Sequence, residues 1–197
     1  MSAVVIVDCG GANLASLQYA LERLGAQPRL SRDAHVIADA SHVLLPGVGA
    51  AADAMRRLAE AGLTATLKSL TQPVLGICLG MQLLCAHSEE GPTDCLGVLP
   101  QHVRRLTPAP GHPVPHMGWN QLHEARADAL LEGIAARSWV YFLHSFAAPP
   151  SAQTLASVSY GAPLAAVVRR DNFCGTQFHP ERSGRTGSRL LANFLRL

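Results

Sequence analysis

The chain reads as an α/β fold, one domain over residues 1–197, built on a mixed, mostly parallel central sheet flanked by helices. Three observations carry that reading. Short apolar, β-branched runs alternate with helix-length segments through the first eighty or so residues. An apolar strand ending Val74-Leu75 runs directly into Gly76-Ile77-Cys78-Leu79-Gly80, and a helical pattern begins at once. From Val114 onward, strand candidates follow one another closely, which favours hairpins and therefore antiparallel strands in the C-terminal half.

Taken in order, Ala3–Val7 is a buried first strand ending at Asp8. Leu14, Leu17, Leu21 and Leu24 then recur at helical spacing, with Gly25 as the stop. A short strand near Gln27–Leu30, a helical turn around Ala34–Ala38 and a strand over His42–Leu45 follow. Ala50–Ala61 and Leu63–Leu70 are helix-like, separated by Gly62. Val74–Ile77 is the strand that presents Cys78. Thr93–Thr107 carries weaker strand signals, and Pro108–Pro115 is a proline- and glycine-rich surface turn. The later strand candidates are Val114–Leu122, Trp139–Phe146, Leu155–Tyr160, Leu164–Arg169 and Cys174–Phe178, with a helical patch over Ala127–Ala135 among them. A helix near Gly187–Leu195 closes the fold.

Composition narrows the function. With 197 residues, 48% hydrophobic and 15% charged, the chain can bury a substantial core. Net charge is +2, and the arginines fall in scattered pairs such as Arg56-Arg57, Arg104-Arg105 and Arg169-Arg170. No aromatic residues interleave with a basic stripe, so nucleic acid is not an expected partner. The five cysteines are odd in number and contain no Cys-x-x-Cys pair, which argues for reduced thiols and against zinc. No apolar run approaches the roughly 18 residues of a membrane span, and the N-terminus lacks a basic leader, so a cytoplasmic setting is expected and a membrane is not.

Cys78 sits where a nucleophile elbow would put it, on a sharp strand-to-helix turn whose glycine neighbours avoid a clash. A helix N-terminus behind the sulfur would favour thiolate. A buried cysteine in an ordinary β-α turn would show the same local pattern, so the second motif decides. Near the C-terminus the chain reads Gln177-Phe178-His179-Pro180-Glu181. A thiol needs a base, and the base needs an acceptor on its other ring nitrogen. His179 and Glu181 lie two residues apart, so an extended backbone would turn both to one side. Cys78, His179 and Glu181 are the candidate catalytic triad.

The glycine-flanked cysteine and the late His-Pro-Glu resemble the class I glutamine amidotransferases. The match spans nearly the whole chain, through Asp8–Leu14, Leu45–Gly49, Ser88–Gly91, Pro115–Asn120 and Tyr141–Ser145. The Pro115-His116-Met117-Gly118-Trp119-Asn120 run is similar to one branch of that family, the glutaminase subunits of imidazole glycerol phosphate synthases. The resemblance implies a flavodoxin-like fold and hydrolysis of L-glutamine to L-glutamate and ammonia through a cysteinyl thioester, with no cofactor. It also implies a cyclase partner with a (β/α)₈ barrel, which uses the ammonia to make imidazole glycerol phosphate and an aminoimidazole carboxamide ribotide in histidine biosynthesis.

By the same resemblance, the oxyanion hole is drawn from Leu79 and the Gly47-Val48-Gly49 loop, and the substrate pocket from Gln82, Ser145 and Phe146. The docking residues would be Asn13, His116, Met117, Gly118, Trp119, Asn120 and Arg182. The chain departs from the family pattern at Cys9 and Phe146, where tyrosine is usual, at Gly11-Ala12 in place of Met-Gly, and at Arg182, where lysine is usual. Another amidotransferase glutaminase, or a non-catalytic subunit on the same fold, are the competing readings. Against the former, the Pro46–Gly49 loop does not run on into Gly-Glu-Ser.

Overall fold

The computed structural model describes residues 3–8, 14–123 and 125–197. Four strands open the chain: β1 (Val4–Val7), β2 (Pro28–Ser31), β3 (His42–Gly47) and β4 (Val74–Cys78). Helices α1 (Leu14–Glu22), α2 (Ala34–Ala38), α3 (Ala51–Glu60) and α4 (Leu63–Ser69) connect them, and α5 (Leu79–Leu84) leaves directly from β4. Asp33 caps α2 by accepting from the backbone N–H groups of His35 and Val36, which starts the helix where its weak propensity would not.

Short strands follow: β5 (His87–Ser88), β6 (Thr93–Asp94), β7 (His102–Arg105), β8 (His116–Gln121), β9 (Trp139–His144) and β10 (Phe146–Ala147). The chain ends with β11 (Thr154–Tyr160), β12 (Ala162–Arg170), β13 (Phe173–Thr176) and α6 (Gly184–Phe194).

The central sheet has seven strands in the order β11-β12-β13-β4-β3-β1-β2. Strands β2, β1, β3, β4 and β13 are mutually parallel, and β12 joins them antiparallel, followed by β11. That parallel run has the doubly wound order of flavodoxin-like folds. Strands β1, β3 and β4 are buried along their whole length, as strands covered on both faces must be. Their side chains alternate between two cores. Val4, Ile6, Leu44, Leu75 and Ile77 face one that includes Leu17, Leu21, Phe142, Phe178 and Phe194. Val5, Val7, Val43, Leu45 and Val74 face the other, with Ile37, Leu58, Leu67 and Met81.

One expectation changes. The patch Ala127–Ala135 is not a helix but a single 3₁₀ turn, Ala129–Leu131, held by Asp128 at its start. Gly133 and Arg137, both at positive φ, turn the backbone off a helical path. As expected of the second half, β11 and β12 add antiparallel strands to the main sheet, while other strands there form separate sheets. β8 and β9 pair only with each other, a two-stranded ribbon in which Gly118 lies opposite Phe142. β10 joins β7, β5 and β6 in a small separate sheet. No helix among the described residues is long and apolar enough to cross a membrane.

Candidate active site

Glycines build the elbow. A Cβ placed on Gly80 would lie 1.6 Å from the Leu45 carbonyl oxygen, and one on Gly76 would lie 2.7 Å from the Gly80 carbonyl. On the other side, a Cβ on Gly175 of β13 would meet Met81 of α5 at 2.7 Å. Helix α5 therefore presses against β3, β4 and β13 at distances no side chain allows. The apex is Cys78, with φ 53° and ψ −110°. That region costs a non-glycine residue on the order of 1–3 kcal/mol and persists only where surrounding packing imposes it.

The thiol lies within reach of the Leu143 carbonyl, to which it donates at 3.7 Å, and of Gln177 Nε2, which donates to the sulfur at 3.8 Å.

His179 follows β13 on extended backbone, with φ −93° and ψ 100°. Pro180 ends the extended stretch and opens a 3₁₀ turn over Pro180–Arg182, from which Glu181 reaches its partner. The expected pairing is present: His179 Nδ1 is 2.9 Å from Glu181 Oε1.

Three more bonds fix the backbone at His179. His179 N–H donates to the Tyr141 carbonyl of β9 at 3.0 Å, and Tyr141 N–H donates to Ser183 Oγ at 3.0 Å. Ser183 Oγ–H in turn donates to the His179 carbonyl at 2.7 Å. Burial alone would lower the pKa of His179, but hydrogen bonds and charge from Cys78 and Glu181 outweigh it and raise the imidazole to about 10. The site thus favours an imidazolium between a sulfur and a carboxylate.

These groups open on a cavity of about 420 Å³. Cys78, His179 and Glu181 line it, as do Gly47, Val48, Gly49, Leu79, Gln82, Ser145 and Phe146. All the sequence-derived pocket and oxyanion residues therefore meet at one place. Parallel pairing sets Gly47 directly opposite Cys78, and Gly49 turns the loop at φ +91°.

Gln82 has its amide orientation dictated. Its Nε2 donates to the Phe146 carbonyl at 2.7 Å and to Gln177 Oε1 at 3.0 Å, two groups that can only accept. The Gln82 carbonyl oxygen is the end of the amide that these two bonds do not use.

Sequence reasoning missed two residues here and left a third, His144 of the Tyr141–Ser145 run, open between a satisfied strand-end histidine and a catalytic part. Glu90 lines the cavity with a carboxyl that accepts from Ala51 N–H at 3.2 Å, tying it to the first turn of α3. Burial raises its pKa, which the Ala51 bond only partly offsets. Gln177 is fully buried and bridges Gln82 to Cys78. His144, noticed but left without a role, is buried with Nδ1 2.9 Å from the Phe146 carbonyl and Nε2 3.1 Å from His116 Nδ1. Glu90 carried a signal, since it lies in the Ser88–Gly91 motif; Gln177 carried one only as the residue before Phe178-His179.

The expected docking residues separate. Met117 and Trp119 are 66% and 53% exposed on the β8–β9 ribbon, beside the exposed Leu143 and Trp139. The Arg182 guanidinium stacks 4.6 Å over the Tyr141 ring and also borders the cavity. Asn120 donates from Nδ2 to the Ser159 carbonyl. His116 is the correction: it is buried, sandwiched between Phe142 and Tyr160, and can support a docking face only from behind. Aromatic packing at 4.6 and 3.8 Å between ring centroids explains why a polar residue of this run turned inward. Asn13 lies outside the described residues. Among those described, no group of three or more His, Cys, Asp or Glu side chains could hold a metal ion.

Comparison with known proteins agrees with this arrangement. The family model for glutamine amidotransferase class-I matches residues 5–197. The chain is 54% identical over 197 residues to the imidazole glycerol phosphate synthase subunit HisH of Xanthomonas axonopodis pv. citri (strain 306), covering 100% of this chain and 98% of that one. It is 52% identical, with the same coverage, to the subunit of that name from Xylella fastidiosa (strain Temecula1 / ATCC 700964).

Among solved structures, a glutamine amidotransferase superposes with a TM-score of 0.77 at 21% identity, over 98% of this chain and 97% of that one. PurLQS from Thermotoga maritima gives 0.73 at 20% identity, over 100% and 99%. The structures speak for the fold, and the sequence relatives for the branch. The chain belongs to the class I glutamine amidotransferases, among the HisH subunits of imidazole glycerol phosphate synthase.

Proposed function

We propose that this chain is a glutaminase subunit of imidazole glycerol phosphate synthase, a single glutamine amidotransferase type-1 domain over 1–197, with Cys78, His179 and Glu181 as its catalytic residues. One observation carries the assignment of roles: a strained, glycine-packed cysteine shares a cavity with a histidine raised by both the sulfur and a carboxylate.

In this reading the Cys78 thiolate attacks the amide carbon of glutamine. Backbone N–H groups of Leu79 and the Gly47–Gly49 loop stabilise the oxyanion, a contribution of several kcal/mol to the barrier. His179 gives its proton to the departing nitrogen, so ammonia leaves and a thioester remains. The imidazole then takes a proton from water, hydroxide adds to the thioester, and the C–S bond breaks to release glutamate and regenerate the pair. Glu181 stabilises the imidazolium throughout.

The amino-acid end of glutamine needs an acceptor for its ammonium and donors for its carboxylate. The Gln82 amide oxygen and the Glu90 carboxylate suit the ammonium, and the backbone of Ser145 and Phe146 suits the carboxylate. Ammonia that reached water would be protonated and lost as a nucleophile. The partner is a cyclase with a (β/α)₈ barrel, docked on the apolar face of Met117 and Trp119. A cytoplasmic setting fits the four free thiols among the described residues.

The test is glutamate release from glutamine, measured with and without the cyclase and its nucleotide substrate. Cys78→Ala should abolish it, while synthesis by the complex from supplied ammonia survives. Retained glutaminase activity in that variant would overturn the nucleophile.

A further inference from the structure

A chain of hydrogen bonds with one direction joins the outer ribbon to the floor of the pocket, and its sense follows from both ends independently. At the ribbon end, Asn120 Oδ1 accepts from Gln121 N–H and its Nδ2 donates to the Ser159 carbonyl. The amide cannot be flipped without breaking both bonds. Its Nδ2, 3.4 Å from His116 Nε2, is therefore the donor, so Nε2 accepts and the proton of His116 sits on Nδ1.

At the pocket end, the Phe146 carbonyl can only accept from His144 Nδ1, so that nitrogen carries the proton and His144 Nε2 accepts. Between them, His116 Nδ1 and His144 Nε2 are 3.1 Å apart. The two assignments agree: one is N–H and the other a lone pair.

We propose that His116 and His144 are positioning residues, a neutral pair of fixed tautomer that holds the Phe146 carbonyl and, through it, the Gln82 amide that receives the substrate.

The Phe146 carbonyl accepts twice, from His144 Nδ1 and from Gln82 Nε2. Gln82 in turn donates to Gln177, and Gln177 to the Cys78 sulfur. Loss of the histidine donor leaves one carbonyl and one amide free to shift where the amino-acid end of glutamine binds.

Neutrality is built in: burial above all, with His112 acting on His116 and with His116 and His179 acting on His144 against the opposing Phe146 bond, lowers the two imidazoles to about 4 and about 3. A charged His144 would also set two N–H groups against each other across 3.1 Å. Phe142 and Tyr160 clamp the His116 ring on its two faces, which fixes its plane.

This inference rests on the glutaminase reading for its kinetic arm alone; the tautomers can be read without any activity. In the chain ¹⁵N-labelled at histidine, His116 and His144 should both show the Nδ1–H tautomer and stay neutral across pH 6–8. An Nε2–H tautomer, or a cation, at either residue overturns the proposal.

In the complex with the cyclase, His144→Leu should raise KM for glutamine roughly tenfold with a smaller change in kcat, the scale of one lost buried hydrogen bond. His144→Asn places an amide donor near the Nδ1 position and should recover most of that loss. His116→Leu removes the donor to His144 Nε2 and should raise KM in the same sense, with His116→Asn recovering it. Equal effects of leucine and asparagine, or a loss in kcat alone, would reduce the pair to packing and overturn the proposal. Failure of wild-type turnover with correct tautomers would instead count against the glutaminase reading.

Discussion

The elbow and the β8–β9 ribbon meet at the same cavity and are built by opposite means. The elbow is made of contacts too close for any side chain, with all six residues of α5 buried. The ribbon is a two-stranded ladder that leaves Met117, Trp119, Trp139 and Leu143 in solvent. One region spends packing to hold a strained cysteine; the other leaves apolar area uncovered, as a surface waiting for a partner does. A substitution in the first should damage the fold, and one in the second should damage assembly.

The sharpest test of that contrast is Gly80→Ala. Its Cβ would meet a backbone oxygen at 1.6 Å, so something must move, and the cost should exceed about 3 kcal/mol in denaturant unfolding. A variant of near-normal stability would show the elbow to be looser than described.

Next in size is Glu181→Gln. Loss of the carboxylate should cut kcat by roughly 10²–10⁴ while the fold stays intact, judged by steady-state kinetics and circular dichroism. The same variant bears on pH. The pKa of His179 is raised from 6.5 to about 10, so the protonated pair contributes stability that is complete below pH 6.5 and fades as pH rises through about 10. Glu181→Gln should move the His179 titration downward in NMR and flatten that stretch of the stability profile. An unmoved midpoint would mean that the sulfur alone holds the proton.

On the ribbon, Trp119→Ala should weaken binding of the cyclase by about 2 kcal/mol, near thirtyfold in Kd. Its own unfolding should change by less than about 0.5 kcal/mol, because the side chain is half in solvent. The reverse pattern would make Trp119 an internal anchor.

The smallest effect is expected for Arg182→Lys, which keeps the charge and loses the flat stacking on Tyr141. A change of a few-fold in affinity, read by calorimetry, would suffice; a large one would make Arg182 central to docking.

Legibility followed the same division. The elbow was readable because its constraints are local: the glycines, the cysteine and the apolar strand are consecutive, and the spacing states the turn. The His179–Glu181 pair was readable by type, although Pro180 sends the backbone into a 3₁₀ turn that the spacing alone did not reveal. What escaped depends on side chains meeting across the fold. Glu90 reaches Ala51 from a distant loop, and Gln177 meets Gln82 across β13 and α5.

His116 sits in a run that looks like surface, and it turns inward because Phe142 and Tyr160 offer a slot for its ring. The separation of β8 and β9 from the main sheet was hidden too, since alternation marks a strand and not its neighbour. The patch at 127–135 has helical composition, but Gly133 and Arg137 at positive φ override it.

The bonds among Tyr141, His179 and Ser183 have a mechanical consequence. His179 hangs from two anchors, the chain leaving β13 and the middle of β9, and the second belongs to the ribbon that would carry the cyclase. Displacing that ribbon would act on the His179 backbone directly, through these hydrogen bonds. His179 and the exposed apolar ribbon are, in this molecule, attached to the same short piece of backbone.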